Sequence, residues 1–216
     1  MPPLERTNGS RFDRPVAARR HKGLTNGCAT NIRCVTGATF LDESIALLER
    51  TPRVVHELTA GLSASWLAQR DTVDGWTARD VVGHLISAEL DDWIPRAERI
   101  VESGTDVALE PFDRFAHVER DRQASLHELL DRFAELRAQN ITRIRELVED
   151  DSVLARRGLH PQLGEVTLRE LIATWTVHDL DHVAQIYAAL AGSRDADVGP
   201  WKAFLGILLR RDRPET

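Results

Sequence analysis

The stretch WTVHDLDHVAQ, Trp175 to Gln185, sets two histidines, His178 and His182, four residues apart. Side chains at i and i+4 share one face of a helix, so both imidazoles leave the same side of the element that carries them. Two chemistries fit such a pair: hydrogen-bonded core histidines, or ligands of a metal ion. A third histidine, His84, stands in DVVGHLISAEL, with apolar residues crowded around it. Three neutral imidazoles suit Zn, Ni, Cu or Fe, and they leave the ion with open positions for water or a substrate anion. Carboxylates are close by in sequence: Asp179 and Asp181 beside the histidine pair, Glu89 a little over one turn beyond His84. These are candidates to accept the outer ring N–H groups, and Glu89 is a candidate general base. His21, His56, His117, His127 and His160 have no such companions and read as surface or loop residues.

The pattern around these residues is helical. Phe40, Leu41, Ile45, Leu48 and Val55 predict a first helix ending near Leu58, kinked at Pro52. Thr77 with Asp80 predicts an N-terminal capping box, and the helix after it runs to about Val101 with a kink at Pro95. Residues 103–124 form a long connection with no clear period, carrying Phe112, Arg114 and Phe115. Ser125 and Glu128 cap a third helix, whose inner stripe includes Leu129, Phe133, Ile144 and Asn140. RRGLHPQLGEVTL reads as a loop, after which Thr167 and Glu170 cap a fourth helix reaching about Leu190. Pro200 opens a short amphipathic helix, Trp201 to Leu209. No strand pattern stands out. The expected fold is an all-α four-helix bundle with a short C-terminal helix, over residues 39–212.

On the fourth helix Leu171, Trp175, His178, His182, Gln185 and Ala189 follow in steps of three or four, so the histidine pair faces inward. His84 faces inward on the second helix and is placed to meet it. From the residues alone, a metal site and a set of satisfied core histidines both remain open.

Residues 1–38 stand apart. They are rich in Arg, Gly, Asn, Thr and Pro, lack periodicity, and read as a disordered or loosely attached extension. Both cysteines, Cys28 and Cys34, lie there, and two thiols do not make a disulfide framework. The chain has 216 residues, 42% hydrophobic and 29% charged, with a net charge of −6. That balance disfavours general nucleic-acid binding, which needs an excess of Lys and Arg. No apolar run approaches the roughly 20 residues of a membrane span, and no secretory signal is evident. The expected location is the cytoplasm.

Two separated motifs carry a family resemblance. GWTARDVVGHLISAELDDWIPR, residues 75–96, resembles the second helix of the DinB/YfiT-like family. LHPQLGEVTLRELIATWTVHDLDHVAQI, residues 159–186, resembles its last bundle helix with an HDxxHxxQI ending, and PFDR at 111–114 and the spacing also fit. The likeness spans roughly residues 40–210. It implies a four-helix bundle, frequent homodimers, and a divalent metal, Zn or Ni foremost, on three histidines that map onto His84, His178 and His182. It also implies a small-molecule substrate. Relatives with assigned activities are thiol-dependent S-transferases or isomerases that use bacillithiol or mycothiol.

On that basis the leading expectation is a metal-dependent thiol S-transferase acting on small electrophiles. Trp93, Phe112, Phe115 and Trp175 are candidates for an apolar cofactor wall. Arg114 or Arg96 would contact an anion, and Glu89 and Arg114 are the candidate catalytic groups. The alternatives are a metal-dependent hydrolase and a non-catalytic metal-binding stress-response protein.

Overall fold

The computed structural model describes residues 39–72 and 75–211. The expected extension 1–38, with Cys28 and Cys34, lies outside them. The order of helices is α1 Phe40–Leu48, α2 Thr51–Thr59, α3 Ala64–Leu67, α4 Ala78–Asp91, α5 Trp93–Ser103, α6 Ala116–Arg120 and α7 Leu126–Leu147. A hairpin follows, β1 Arg157–His160 and β2 Gly164–Thr167, then α8 Leu168–Gly192 and α9 Gly206–Arg211. The long elements, α1–α2, α4–α5, α7 and α8, make a four-helix bundle.

The helix starts follow their caps. Thr77, Ser125 and Thr167 each accept from the backbone N–H three residues on, and the side chain of Asp80, Glu128 or Glu170 accepts from the cap N–H in return. Thr39 and Asp42 form a fourth such box ahead of α1, which the sequence reading passed over. Each cap contributes about 1 kcal/mol by satisfying otherwise orphaned N–H groups.

The two proline-bearing helices are broken rather than kinked. α1 ends before Glu49, and Pro52 is taken into the first turn of α2, where its missing N–H costs nothing. A continuous helix would need an N–H at residue 52 to bond the carbonyl of Leu48. That carbonyl accepts from Arg137 Nη1 on α7 instead, at 2.9 Å. Likewise α4 stops at Asp91, and Asp92 takes φ −116°, ψ −73° before α5 begins, because Pro95 has no N–H for the carbonyl of Asp91.

Two expectations change. The stretch read as a loop after α7 is an antiparallel hairpin, pairing Arg157 with Thr167 through His160 with Gly164. Residue 164 turns it with φ +79°, a conformation that glycine adopts freely. Only four residues per strand leave no alternation to read. The connection 103–124 adds a single bridge, Leu109 N–H to the Leu159 carbonyl at 2.8 Å, and contains α6. The expected C-terminal helix is divided into a 3-10 segment, Gly199–Phe204, and α9.

The apolar interior has two halves. One joins α1, α5, the end of α7 and the start of α8, with Ile45, Ile144, Ile172 and Trp175. The other joins α2, α4, the start of α7 and the end of α8, with Val55, Ile86, Phe133 and Ile186. Between them α7 presents Arg137 and α8 presents His178, Asp179 and His182. A polar layer therefore crosses the bundle at mid-height. No helix among the described residues is long and apolar enough to cross a membrane.

Candidate metal centre

His84 lies in an unbroken run of buried residues, Val81 to Glu89, at the centre of α4. His178 and His182 stand one turn apart on α8, ring centroids 4.2 Å apart. His178 Nε2 is 3.2 Å from His84 Nε2 and 3.1 Å from His182 Nε2. Two nitrogens each about 2.1 Å from one ion can be no more than about 4.2 Å apart. The three rings thus form a group that can hold a metal ion.

The outer nitrogens determine which tautomers are present. His84 Nδ1 is 3.2 Å from the Arg114 carbonyl, which can only accept, so Nδ1 carries the proton. His182 Nδ1 is 2.7 Å from Gln185 Oε1. The amide of Gln185 is held that way round because its Nε2 donates to Asp71 Oδ2 at 2.8 Å, and a carboxylate can only accept. His182 therefore also carries its proton on Nδ1. Both rings aim an Nε2 lone pair at His178, whose buried Nδ1 has no partner among the described residues. With its own proton on Nδ1, His178 would bring a third Nε2 lone pair to the same point, so the donor set fits a divalent metal.

Burial keeps these rings neutral. Desolvation, then the charge of His182, lowers His84 to about 3. Desolvation, with His182 and His84, lowers His178 to about 2, and desolvation lowers His182 as well. Unfolded histidine titrates near 6.5, so below that pH the unfolded chain binds protons that the folded metal-free chain refuses. Stability of the metal-free protein must therefore fall as pH drops below about 6.5, by on the order of 1.4 kcal/mol per pH unit for each ring that stays neutral. His117, also lowered by burial, adds to the slope, while Asp92 and Glu89, raised by burial, oppose it. Denaturant unfolding of metal-free protein from pH 8 to pH 5 checks this. A flat profile contradicts a buried neutral triad.

Aromatic rings close over the nitrogens. Trp76 lies 4.7 Å from His84 and is stacked at 6.2 Å from His182. Phe112 meets His84 edge-on at 5.6 Å, and Trp93 meets His178 edge-on at 5.0 Å. The rings of Phe115 and Trp76 are 6.1 Å apart.

The comparisons with known proteins agree with this geometry. The model of the DinB superfamily matches residues 47–186, well over half of the chain. The chain belongs to the DinB superfamily. The match takes in all three histidines. Among solved structures, YfiT from Bacillus subtilis shares 27% identity with this chain, covering 68% of it and 83% of YfiT, with a TM-score of 0.60. YfiT is described as a probable metal-dependent hydrolase with an unusual four-helix bundle topology. Among curated proteins, none matches.

Not every expected residue of this DinB-superfamily site is where the sequence put it. Trp175 is fully buried behind Trp93, stacked on it at 5.8 Å, and donates Nε1–H to Glu89 Oε1. Glu89 and Asp179 do not accept from the histidines. Both bind Arg137, which lies buried on α7 and uses all five of its N–H groups. Nε and Nη2 reach Glu89 Oε1 at 3.1 and 2.7 Å, Nη1 and Nη2 reach Asp179 at 2.6 and 3.0 Å, and Nη1 also reaches the Leu48 carbonyl. Asn140 donates to Glu89 Oε2 at 3.0 Å and to its carbonyl at 2.7 Å. Asp179 follows His178 in sequence, so it points about 100° around the helix from it, toward α7. Asp181 is exposed.

His117 is likewise no surface residue. It is 2% exposed on α6 and packs against Gly83 of α4, where a Cβ would lie 3.1 Å from its own Cβ.

Gln185, Asp71 and Trp76 are the residues that sequence reading missed. The signals were that Gln185 continues the inner stripe of α8 and closes the HDxxHxxQI motif, and that Trp76 opens the motif at 75–96. Gln185→Leu removes the acceptor from His182 Nδ1, and it is expected to lower metal affinity about 10- to 100-fold with the fold intact. Calorimetric titration of the metal-free variant checks it.

Proposed function

We propose that this chain is a metal-dependent enzyme acting on small molecules, and that its three-histidine centre ionises a thiol nucleophile for transfer to an electrophile. The observation that carries the reading is the convergence of three neutral Nε2 atoms, two of them fixed in tautomer, beneath an aromatic cover. Zn or Ni suits such a donor set. A divalent ion held there supplies Lewis acidity, ionising a bound thiol outright or bringing bound water to a pKa near 7. The rings of His84, His178 and His182 stay unprotonated at neutral pH and so remain available as donors. Trp76, Phe112 and Trp93 exclude water from them. Glu89 has both oxygens engaged, Oε1 with Arg137 and Trp175 and Oε2 with Asn140, so it is not positioned as a base toward a molecule at the centre. A thiol ionised on the ion would release its proton to solvent, so the thiol reading requires no protein base. Mycothiol and bacillithiol are the thiol classes to test.

A second reading, metal-dependent hydrolysis, is supported by the likeness to YfiT. The two separate in one assay of metal-loaded protein with an activated ester and with an alkylating electrophile, each with and without added thiol. Thiol transfer predicts turnover of the electrophile only when thiol is present. Ester turnover that ignores thiol selects hydrolysis. Bound metal with no turnover of either selects a non-catalytic role.

A further inference from the structure

Of the two arginines that sequence reading offered for an anion, the surroundings distinguish sharply. Arg96 is engaged: its Nε lies 2.7 Å from Asp92, and its Nη2 bonds the Glu110 carbonyl at 3.0 Å. Arg114 makes no ion pair with any carboxylate among the described residues. Its guanidinium instead lies over two rings of the aromatic cover, 5.4 Å from the centre of Trp76 and 5.2 Å from that of Phe115. Its own carbonyl is the acceptor for His84 Nδ1, which anchors residue 114 to the centre. The nearby carboxylates are occupied: Glu89 and Asp179 on Arg137, Asp71 on Gln185 and on the Trp76 N–H at 2.7 Å, and Asp113 on the Phe115 N–H at 2.9 Å.

We infer that the molecule taken by this centre carries an anionic group, a carboxylate or its equivalent, which pairs with Arg114 while a donor atom of the same molecule reaches the metal. An exposed cation stacked on aromatic rings is already partly desolvated and orientationally restricted, so an anion meets it at reduced ordering cost. Phe115, more than half exposed beside it, offers an apolar contact for the body of the same molecule.

The inference rests on the metal reading, and one experiment separates the two. The full chain is loaded with Co(II), and the thiol-to-cobalt charge-transfer band is titrated with 3-mercaptopropionate and with its neutral amide. Wild type is expected to bind the anionic thiol at least about tenfold more tightly, with the preference lost in Arg114→Gln and partly restored in Arg114→Lys. The glutamine variant keeps the backbone carbonyl that holds His84, so its cobalt uptake should match wild type. Equal affinities in wild type or a preference that survives in R114Q each overturn the anionic ligand alone, and no thiol binding to bound cobalt overturns the thiol reading and this inference with it. Failure of wild type to bind cobalt overturns the metal reading, and this inference falls with it.

Discussion

His178→Ala is expected to reduce affinity for a divalent ion by at least about 100-fold while leaving the metal-free protein folded. His178 is the middle of the three donors, within 3.2 Å of both partners, so its loss leaves two nitrogens that no longer surround a common point. The loss should exceed the 10- to 100-fold cost of removing an outer hydrogen-bond partner. The metal-free protein has less to lose. The ring's Nδ1 has no partner among the described residues, and a proton on its Nε2 satisfies only one of the two lone pairs that face it at a time. Its removal also eliminates one buried imidazole that resists protonation, so the acid sensitivity of the metal-free protein should become shallower. Metal stabilises the wild type by mass action, about 2.7 kcal/mol at 100 times the dissociation constant, and this increment should vanish in the variant. Metal content by mass spectrometry, with thermal melts in the presence and absence of metal, tests both halves. Wild-type metal content retained in H178A would remove His178 from the ligand set.

Arg137→Met should destabilise the fold by about 3–5 kcal/mol at neutral pH, the cost of leaving buried charges unpaired. The substitution strands Glu89 and Asp179, both fully buried, and frees the Leu48 carbonyl that Pro52 cannot satisfy. Burial alone would lower the pKa of Arg137, but the two carboxylates push it above its usual value, so the guanidinium stays charged. The methionine variant should recover stability as pH falls, because protonation then discharges the stranded carboxylates. Burial already raises Glu89 in the presence of the arginine, so its removal raises it further. For a chain of this size the loss corresponds to roughly 2–4 °C of melting temperature per kcal/mol. Denaturant unfolding at pH 7 and pH 5 tests sign and size. A change below about 1 kcal/mol at pH 7 would mean that the network contributes little to the fold.

Arg137 also shows where sequence reading stops. Leu130, Phe133, Arg137, Ile141 and Ile144 follow at steps of three and four, so the arginine stands on the buried stripe of α7. A charged residue on an apolar stripe is readable as buried only once its partners are known, and they come from α4, α8 and the end of α1. The same limit explains why Asn140 could be placed on the inner stripe but not given a partner. It also explains why Asp179 and Glu89 were expected beside the histidines. Position on a helix gives the face, but hydrogen-bond partners depend on the separation between helices.

What the sequence by itself determined is local. Three of the four capping boxes, the four long helical elements, the interruptions at Pro52 and Pro95, and the inward face shared by His178 and His182 follow from spacing, hydroxyl caps and missing N–H groups. These act within a few residues. Periodicity also placed His84 inward on the second helix, and the family resemblance implied that the three histidines hold a metal. The tertiary structure decided everything that depends on juxtaposition: the relay from His182 through Gln185 to Asp71, the packing of Trp76 on the histidines, the capture of the Leu48 carbonyl by Arg137, and the placing of Arg114 over Trp76 and Phe115 while Arg96 pairs with Asp92. The hairpin belongs with these, because its pairing with residues 103–124 is a long-range contact. Each joins residues tens of positions apart, and only the packed bundle sets their distances.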